Sequence, residues 1–353
     1  MKMYRVIGLM SGTSLDGIDI AYCHFTKLDK QWAFQIEKAE TLPYSQQWKD
    51  ELTELCNASS YQLMEVHVRY GRFLGDVVRK FIRKHHLEPD FISSHGHTVF
   101  HQPKQKVTVQ IGAGSHLAAV SGYPVVTDFR SLDVALGGQG APLVPIGDKY
   151  LFSSFEYCLN LGGFANISFD DESKRVGFDI CPLNSVLNYL AEKVGKSYDY
   201  NGSIAKNGSI NVELLHALNQ LPYYSMTYPK SLGIEWVNEY VIPAINAKKL
   251  SPKDLLRTFT EHFAIQISNI TDRNKGKKIL LSGGGTRNEF FVERLRALIG
   301  HQLIIPEPNI IDFKEALVFA FLGVLRIRGE VNCLATVTGA SRDSCSGAIY
   351  SNQ

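Results

Sequence analysis

The chain has 353 residues, enough to bury a large core and to fit two domains better than one. Hydrophobic residues make up 44% and charged residues 20%, and a net charge of +2 gives no electrostatic case for nucleic acid or an anionic membrane. No run approaches the ~20 apolar residues of a membrane span, the start MKMYRVIGLMSG lacks a signal-peptide pattern, and the six cysteines show no CxxC spacing. These features point to a cytoplasmic α/β protein with reduced thiols.

The first elements read as a strand from Val6 to Met10, a glycine- and hydroxyl-rich turn, and a second strand from Ile18 to Phe25. Clustered backbone N–H groups and the hydroxyls of Ser11, Thr13 and Ser14 suit an oxyanion, which is what a phosphate cradle requires. Asp16 and Asp19 are placed to face a metal ion on such phosphates. An ordinary hairpin, with Asp16-Gly17 making the turn, is the competing reading. Residues Tyr61 to Lys84 carry apolar positions at helical spacing, with Arg69, Arg72, Arg79, Lys80, Arg83 and Lys84 forming a solvated face.

Short strands follow at Phe91–Ser94, Thr108–Ile111 and Val125–Thr127. Between the first two, SHGHTVFHQP reads as a cleft-lining loop. Its His95, His97 and His101 imitate a metal spacing without an acidic or cysteine partner, so substrate contact is the better use. Arg130 follows an apolar strand, where its guanidinium can hold a carboxylate or phosphate, or simply make a surface ion pair. The segment Asp128 to Pro145, DFRSLDVALGGQGAPLVP, interrupts the pattern and is the best domain boundary.

A strand at Tyr157–Leu161 opens YCLNLGGFANISF, an echo of the first strand–turn–strand unit. In GFDICPLN, Asp179 sits near a strand end among apolar neighbours, as a general base in a cleft would. A turn aspartate is the plainer alternative. A helix opens at Ser251-Pro252-Lys253-Asp254 and runs through Leu255, Phe259, Phe263, Ile267 and Ile270. Strands at Ile279–Ser282 and Leu303–Ile305 come next, and the first leads into GGG and a helix, an arrangement that holds a nucleoside or phosphates at the helix N-terminus. Glu315 is placed in the first turn of an apolar helix, there to stabilise its dipole or to touch a hydroxylated ligand. Three glycine turns after apolar strands, without a Walker A sequence or GxGxxG, point to a nucleotide bound between two lobes of related topology, not to a Rossmann crevice.

Together these strings resemble one family, the anhydro-N-acetylmuramic acid kinases of the sugar kinase, actin and chaperone-ATPase superfamily. The match runs in order through GLMSGTSLDGID, SHGHTVFHQP, VQIG, DFRSLDVALGGQGAPLVP, NLGGFANISF, GFDICPLN, PKSLGIEW, LSGGGTRNEFF, FKEALVFAF and VTGASR. The resemblance implies two α/β lobes of related actin-like (ribonuclease H-like) topology facing a nucleotide cleft. Their expected bounds are residues 1–130 and 131–345, with 346–353 returning to the first lobe. It also implies ATP and Mg2+ as cofactors and a small sugar as partner, and it admits a homodimer. The reaction would be hydrolysis of the anhydro ring and phosphorylation of the freed oxygen, in cell-wall recycling.

Carried over by position, Gly12, Thr13, Ser14, Leu15, Asp16, Gly17, Ile18 and Asp19 would hold the ATP phosphates, with Asp16 toward the metal. Gly162, Gly163, Gly283, Gly284 and Gly285 would complete the nucleotide site. Asp179 would be the general base, and Thr98, Arg130 and Glu315 would touch the sugar. The family usually has glutamine at His97, and a Gly-Pro-Gly-Asn run where this chain reads Cys181-Pro182-Leu183-Asn184. The loss of two glycines beside the base is expected to reshape that loop. Two alternatives stand beside this reading: a kinase of the same fold acting on another sugar or anhydro sugar, and a nucleotide-dependent sensor of cell-wall fragments without turnover.

Overall fold

The computed structural model describes residues 2–12, 15–29, 31–172, 174–247, 249–271 and 276–351. The chain forms two compact units, Met1–Leu151 with Phe313–Gln353, and Phe152–Asp312. Both are mixed α/β. Among the described residues, no helix is long and apolar enough to cross a membrane.

The first unit is built on strands β1 (Met3–Ser11), β2 (Gly17–Leu28), β3 (Gln31–Pro43), β4 (Phe91–Gln102), β5 (Val107–Ile111) and β6 (Val125–Thr127). The second holds β7 (Tyr157–Leu161), β8 (Ala165–Asp171), β9 (Lys174–Cys181), β10 (Lys278–Ser282) and β11 (Gln302–Ile304). The last strand, β12 (Ala348–Tyr350), pairs with β6 and so returns the C-terminal segment to the first sheet. The sheet orders are β12-β6-β4-β1-β2-β3, with β5 on β4, and β11-β10-β7-β8-β9. In each unit three consecutive antiparallel strands are extended by two parallel ones on the side of the first strand. The echo of the opening hairpin at 157–169 is thus a repeat of topology.

Helices cover these sheets where the apolar periodicity places them. Helix Ser60–His85 is opened by a Ser59–Gln62 capping box and closed by His86 at φ 52°. It buries Val66, Tyr70, Leu74, Val77, Val78 and Phe81, while Arg72, Arg79, Lys80, Arg83 and Lys84 face water. In the second unit, helix Pro252–Thr271 buries Leu255, Phe259, Phe263 and Ile267. Its start is fixed by Ser251, whose Oγ accepts from Asp254 N at 3.3 Å and donates to Asp254 Oδ2 at 2.6 Å.

Three expectations are corrected here. The segment SHGHTVFHQP is not a loop but lies largely within β4, because β5 folds back on it, pairing His97 with Ile111 and Thr98 with Gln110. Glu315 is not in the first turn of its helix, which runs from Pro308 to Arg328, so the dipole account of this residue fails. The first unit also continues past residue 130 to Leu151 and takes back the chain from Phe313, not from residue 346. Arg130 Nη1 donates to Gly140 O at 2.6 Å, Gly140 N to Asp133 Oδ2 at 2.7 Å, and Thr338 Oγ1 to Asp133 Oδ1 at 2.8 Å, tying that segment in. A buried ion pair, Lys314 to Asp148 at 2.7 Å, joins the long helix to helix Val144–Leu151 in the same unit.

Candidate active site

Strands β1 and β2 pair antiparallel up to this turn, with Leu9 opposite Ile20 and Met10 opposite Asp19. Thr13 and Ser14 lie outside the described residues. Leu15 takes φ 57° and its N–H reaches Gly12 O at 3.4 Å. Asp16 is exposed, as a metal-facing carboxylate needs to be, while Asp19 Oδ1 accepts from Thr41 Oγ1 at 2.6 Å. Ser11 departs from the expectation that it offers its hydroxyl to an oxyanion. It is 3% exposed, and its Oγ is bonded to Tyr44 and His97.

The same unit gathers the residues expected at the sugar. Arg130 Nε donates to His95 Nε2 at 2.9 Å, and the guanidinium lies 5.9 Å from the Phe319 ring centroid. Arg130 is therefore no surface ion pair. Burial lowers its pKa to about 10, with the charges of Glu315 and Asp133 among the opposing effects, so it stays cationic at neutral pH. His95 Nδ1 donates to Gly96 O at 2.9 Å, which leaves Nε2 bare to accept from Arg130. Burial first, and then the Arg130 charge, hold His95 well below the usual imidazole range, so it is neutral.

Glu315 is reachable by solvent but sits in a dense surround that raises its carboxyl pKa, with the Arg130 charge opposing. Thr98 Oγ1 accepts from Gln110 Nε2 at 3.3 Å. His95 and Gln110, the partners of Arg130 and Thr98, line one cavity of about 280 Å³ with His67, Asp128 and Tyr350. His95 was marked by its histidine motif, whereas Gln110 carries no local signal, because what it does is hold Thr98.

In the second unit Asp179 lies two residues before the end of β9, paired with Asn166 of β8. A segment from Tyr223 to Leu232 straps it in place. Tyr223 Oη donates to Asp179 O at 2.6 Å, Asp179 N to Lys230 O at 3.4 Å, and Leu232 N to Asp179 Oδ2 at 2.9 Å. Lys230 Nζ donates to Tyr223 O at 3.1 Å and stands over the Tyr223 ring at 4.6 Å. Burial raises the Asp179 pKa, and the Leu232 N–H opposes it. Among the described residues Asp179 Oδ1 has no hydrogen-bond partner, so one carboxylate oxygen remains for a proton. The substituted residues do not need a glycine backbone: Cys181 ends β9 and Leu183 begins helix Leu183–Glu192, both buried, and neither has positive φ.

The glycine turns of this unit meet each other. An added Cβ at Gly283, whose φ is +82°, would lie 2.5 Å from Asn160 Oδ1, so glycine is required there on both counts. The carbonyls of Gly162 and Gly163 accept the N–H groups of Asn184 and Ser185 at 3.3 and 3.1 Å, which seats helix Leu183–Glu192. Gly284 and Gly285 line a cleft of about 340 Å³ with Asn184, Asn188, Tyr198, Tyr200 and Arg287. The helix after GGG does not offer a bare N-terminus. A 3-10 turn, Gly284–Arg287, intervenes, and Asn288 Oδ1 caps helix Glu289–Leu298 by accepting from Phe291 N at 2.9 Å. The cleft beside the glycines, flanked by two exposed tyrosines, is the feature that fits a nucleoside. Among the described residues no group of three or more His, Cys, Asp or Glu side chains is placed to hold a metal ion.

The sequence profile described as "Anhydro-N-acetylmuramic acid kinase" matches residues 4–352. The chain belongs to the anhydro-N-acetylmuramic acid kinase family. Among relatives of that name, one from Sulfurovum sp. (strain NBC37-1) is 36% identical over 99% of this chain and 100% of its own length. One from Sulfurimonas denitrificans is 34% identical over 98% of each chain, and one from Mannheimia succiniciproducens 34% over 99% of each. A solved structure, the activator of the 2-hydroxyisocaproyl-CoA dehydratase from Clostridium difficile with bound ADPNP, covers 92% of this chain and 97% of its own. Its TM-score is 0.45 at 14% identity, a likeness at which nothing is carried over.

Proposed function

We propose that this protein uses ATP to open the 1,6-anhydro bond of 1,6-anhydro-N-acetylmuramic acid and to phosphorylate the freed oxygen on carbon 6, yielding N-acetylmuramic acid 6-phosphate in cell-wall recycling. Family membership over residues 4–352 supports the reaction class. The observation that carries the mechanism is the seating of Asp179, held by the Leu232 N–H and the Tyr223 hydroxyl with one carboxylate oxygen free and a raised pKa.

Ordinary glycoside hydrolysis uses two carboxyl groups, one to activate water and one to protonate the leaving oxygen. Here the γ-phosphoryl group captures the leaving oxygen, so one base suffices. Asp179 takes a proton from water as the water oxygen bonds to the anomeric carbon. The bond from that carbon to the oxygen on carbon 6 breaks, this oxygen bonds to phosphorus, and ADP leaves. The Gly12–Asp19 turn takes the phosphates, and Gly162, Gly163 and Gly283–Gly285 belong to the nucleotide site, with the nucleoside in the cleft at Gly284 and Gly285. Thr98, Arg130 and Glu315 orient the sugar. The hard carboxylate of Asp16 suits Mg2+, which keeps several waters and binds through one or two carboxylates and substrate phosphates. Bound there, the ion supplies neutralisation of the β- and γ-phosphate charge. The reaction belongs in the cytoplasm, where ATP is available.

Coupled ADP release, run across 1,6-anhydro-N-acetylmuramic acid, N-acetylmuramic acid, levoglucosan and common hexoses, tests this reading. ADP with the first sugar alone supports it. ADP with another sugar moves the assignment to that substrate, and background rates with all of them leave a sensor.

A further inference from the structure

Four polar side chains form a dry chain beneath the phosphate turn. Tyr70, Tyr44, Ser11 and His97 are 0%, 5%, 3% and 4% exposed. Ser11 Oγ is 2.6 Å from Tyr44 Oη and 2.9 Å from His97 Nδ1, and Tyr44 Oη is hydrogen-bonded in turn to Tyr70 Oη. His97 reaches Ser11 because the register between β1 and β4 slips there: Leu9 pairs with Ser94, but Ser11 pairs with His97. The slip places an imidazole at the last residue of β1, immediately before Gly12.

Tyr44 does more than end the chain of hydroxyls. Its backbone N–H donates to Asp16 O at 3.4 Å, on the far limb of the same turn. One residue thus holds both limbs, the entering strand through its phenol and the leaving limb through its backbone. A core made only for stability would fill these positions with apolar side chains, because a buried polar chain offers little net energy. What a fully satisfied buried network does supply is one arrangement in place of several. A phosphate cradle needs this, since its N–H groups have to converge on the oxyanion before it arrives.

We infer that Tyr44 and His97 are positioning residues for the phosphate turn, locking Ser11 and Asp16 so that the turn is set to receive the triphosphate. Both side chains are buried and reach the turn through Ser11, Tyr44 also through its backbone N–H to Asp16, and the inference rests on the reading that this turn holds the ATP phosphates.

The test uses the full-length enzyme with Tyr44→Phe, His97→Leu and His97→Gln, measuring KM for ATP, KM for the anhydro sugar, kcat, direct ATP affinity and Tm. Tyr44→Phe and His97→Leu are expected to raise KM for ATP and weaken ATP binding about five- to tenfold, the equivalent of one buried hydrogen bond. KM for the sugar is expected to stay where it is. His97→Gln, which keeps a hydrogen-bonding group toward Ser11, restores most of what His97→Leu loses. Loss of Tm with unchanged ATP parameters, or equal effects on both substrates, overturns the inference and makes the chain a structural element only. Should His97→Leu not fold, Tyr44→Phe decides the matter, because it removes a single oxygen. If the unmutated enzyme neither binds ATP nor releases ADP, the functional reading itself fails. If it does both and the variants match it, only the positioning role fails.

Discussion

Replacing Asp179 by asparagine exchanges one carboxylate oxygen for an amide group and leaves the rest of the site in place. The asparagine oxygen can still accept from Leu232 N, which in the native protein lies 2.9 Å from Oδ2, and the Tyr223 bond goes to the main chain. The strap over β9 therefore survives, and what disappears is a group able to take a proton from water. A positioned general base is worth about 10²–10⁴ in rate, or about 3–5 kcal/mol of barrier. The expected outcome is a fall in kcat of at least about 100-fold, with ATP affinity unchanged.

Stability should move the other way. Burial raises the Asp179 pKa above its ordinary value, so folding favours the protonated form and the charge costs stability at any pH above both values. Asp179→Asn removes that cost, and its Tm at neutral pH should equal or exceed the native one. In the native enzyme, kcat should fall as pH drops through the raised pKa, because the base is lost by protonation. ADP release at saturating ATP and sugar, nucleotide titration and thermal melting supply these numbers. A variant that turns over within about tenfold of the native rate would refute the assignment of Asp179 as base.

Arg130→Lys keeps the charge but loses the fork that bonds His95 Nε2 and Gly140 O. KM for the sugar should rise about ten- to a hundredfold, the scale of a charge-assisted hydrogen bond, with little change in KM for ATP, and unaltered sugar kinetics would remove Arg130 from the site. His262 is bonded through Nδ1 to Asn219 Oδ1 at 2.7 Å and through Nε2 to Tyr224 Oη at 3.0 Å, and burial lowers its pKa from 6.5 to about 3. Its neutral form is favoured by folding, so its contribution is full above pH 6.5 and is lost as pH falls toward 3. The loss amounts to roughly 5 kcal/mol. His262→Gln should flatten acid unfolding over that window, and an unchanged slope would assign the acid sensitivity to other groups. Phe263 is fully buried, with its ring centroid 5.7 Å from that of Phe259. Phe263→Ala should cost about 3–5 kcal/mol in denaturant unfolding, and a cost below about 1 kcal/mol would mean the site collapses without strain.

Strand β3 shows where local pattern ran out. Its run QWAFQIEKAETLP buries only Trp32, so its apolar alternation is weak, and what makes it a strand is pairing with β2 from Gly17–Pro43 to Leu28–Gln31. The histidine motif was misread as a loop, because the partner that makes it a strand, β5, comes later in the chain. The start of the helix carrying Glu315 was read too late, since Pro308 opens the helix before the apolar run begins.

What the residues determined by themselves are the things encoded over short windows. These include the alternation of strands and helices, the repeated hairpin that opens each unit, the cap at Ser251, the glycine turns, and Asp179 near a strand end. What only the tertiary structure decided are the partners of the polar groups. The Ser11–His97, Arg130–His95 and Asp179–Leu232 contacts join residues 86, 35 and 53 positions apart. A hydroxyl beside a glycine turn looks like a ligand for phosphate whether it faces solvent or core. Ser11 meets His97 there because β1 and β4 slip register at that residue, and strand register is set by the packing of whole sheets, not by any local run of sequence.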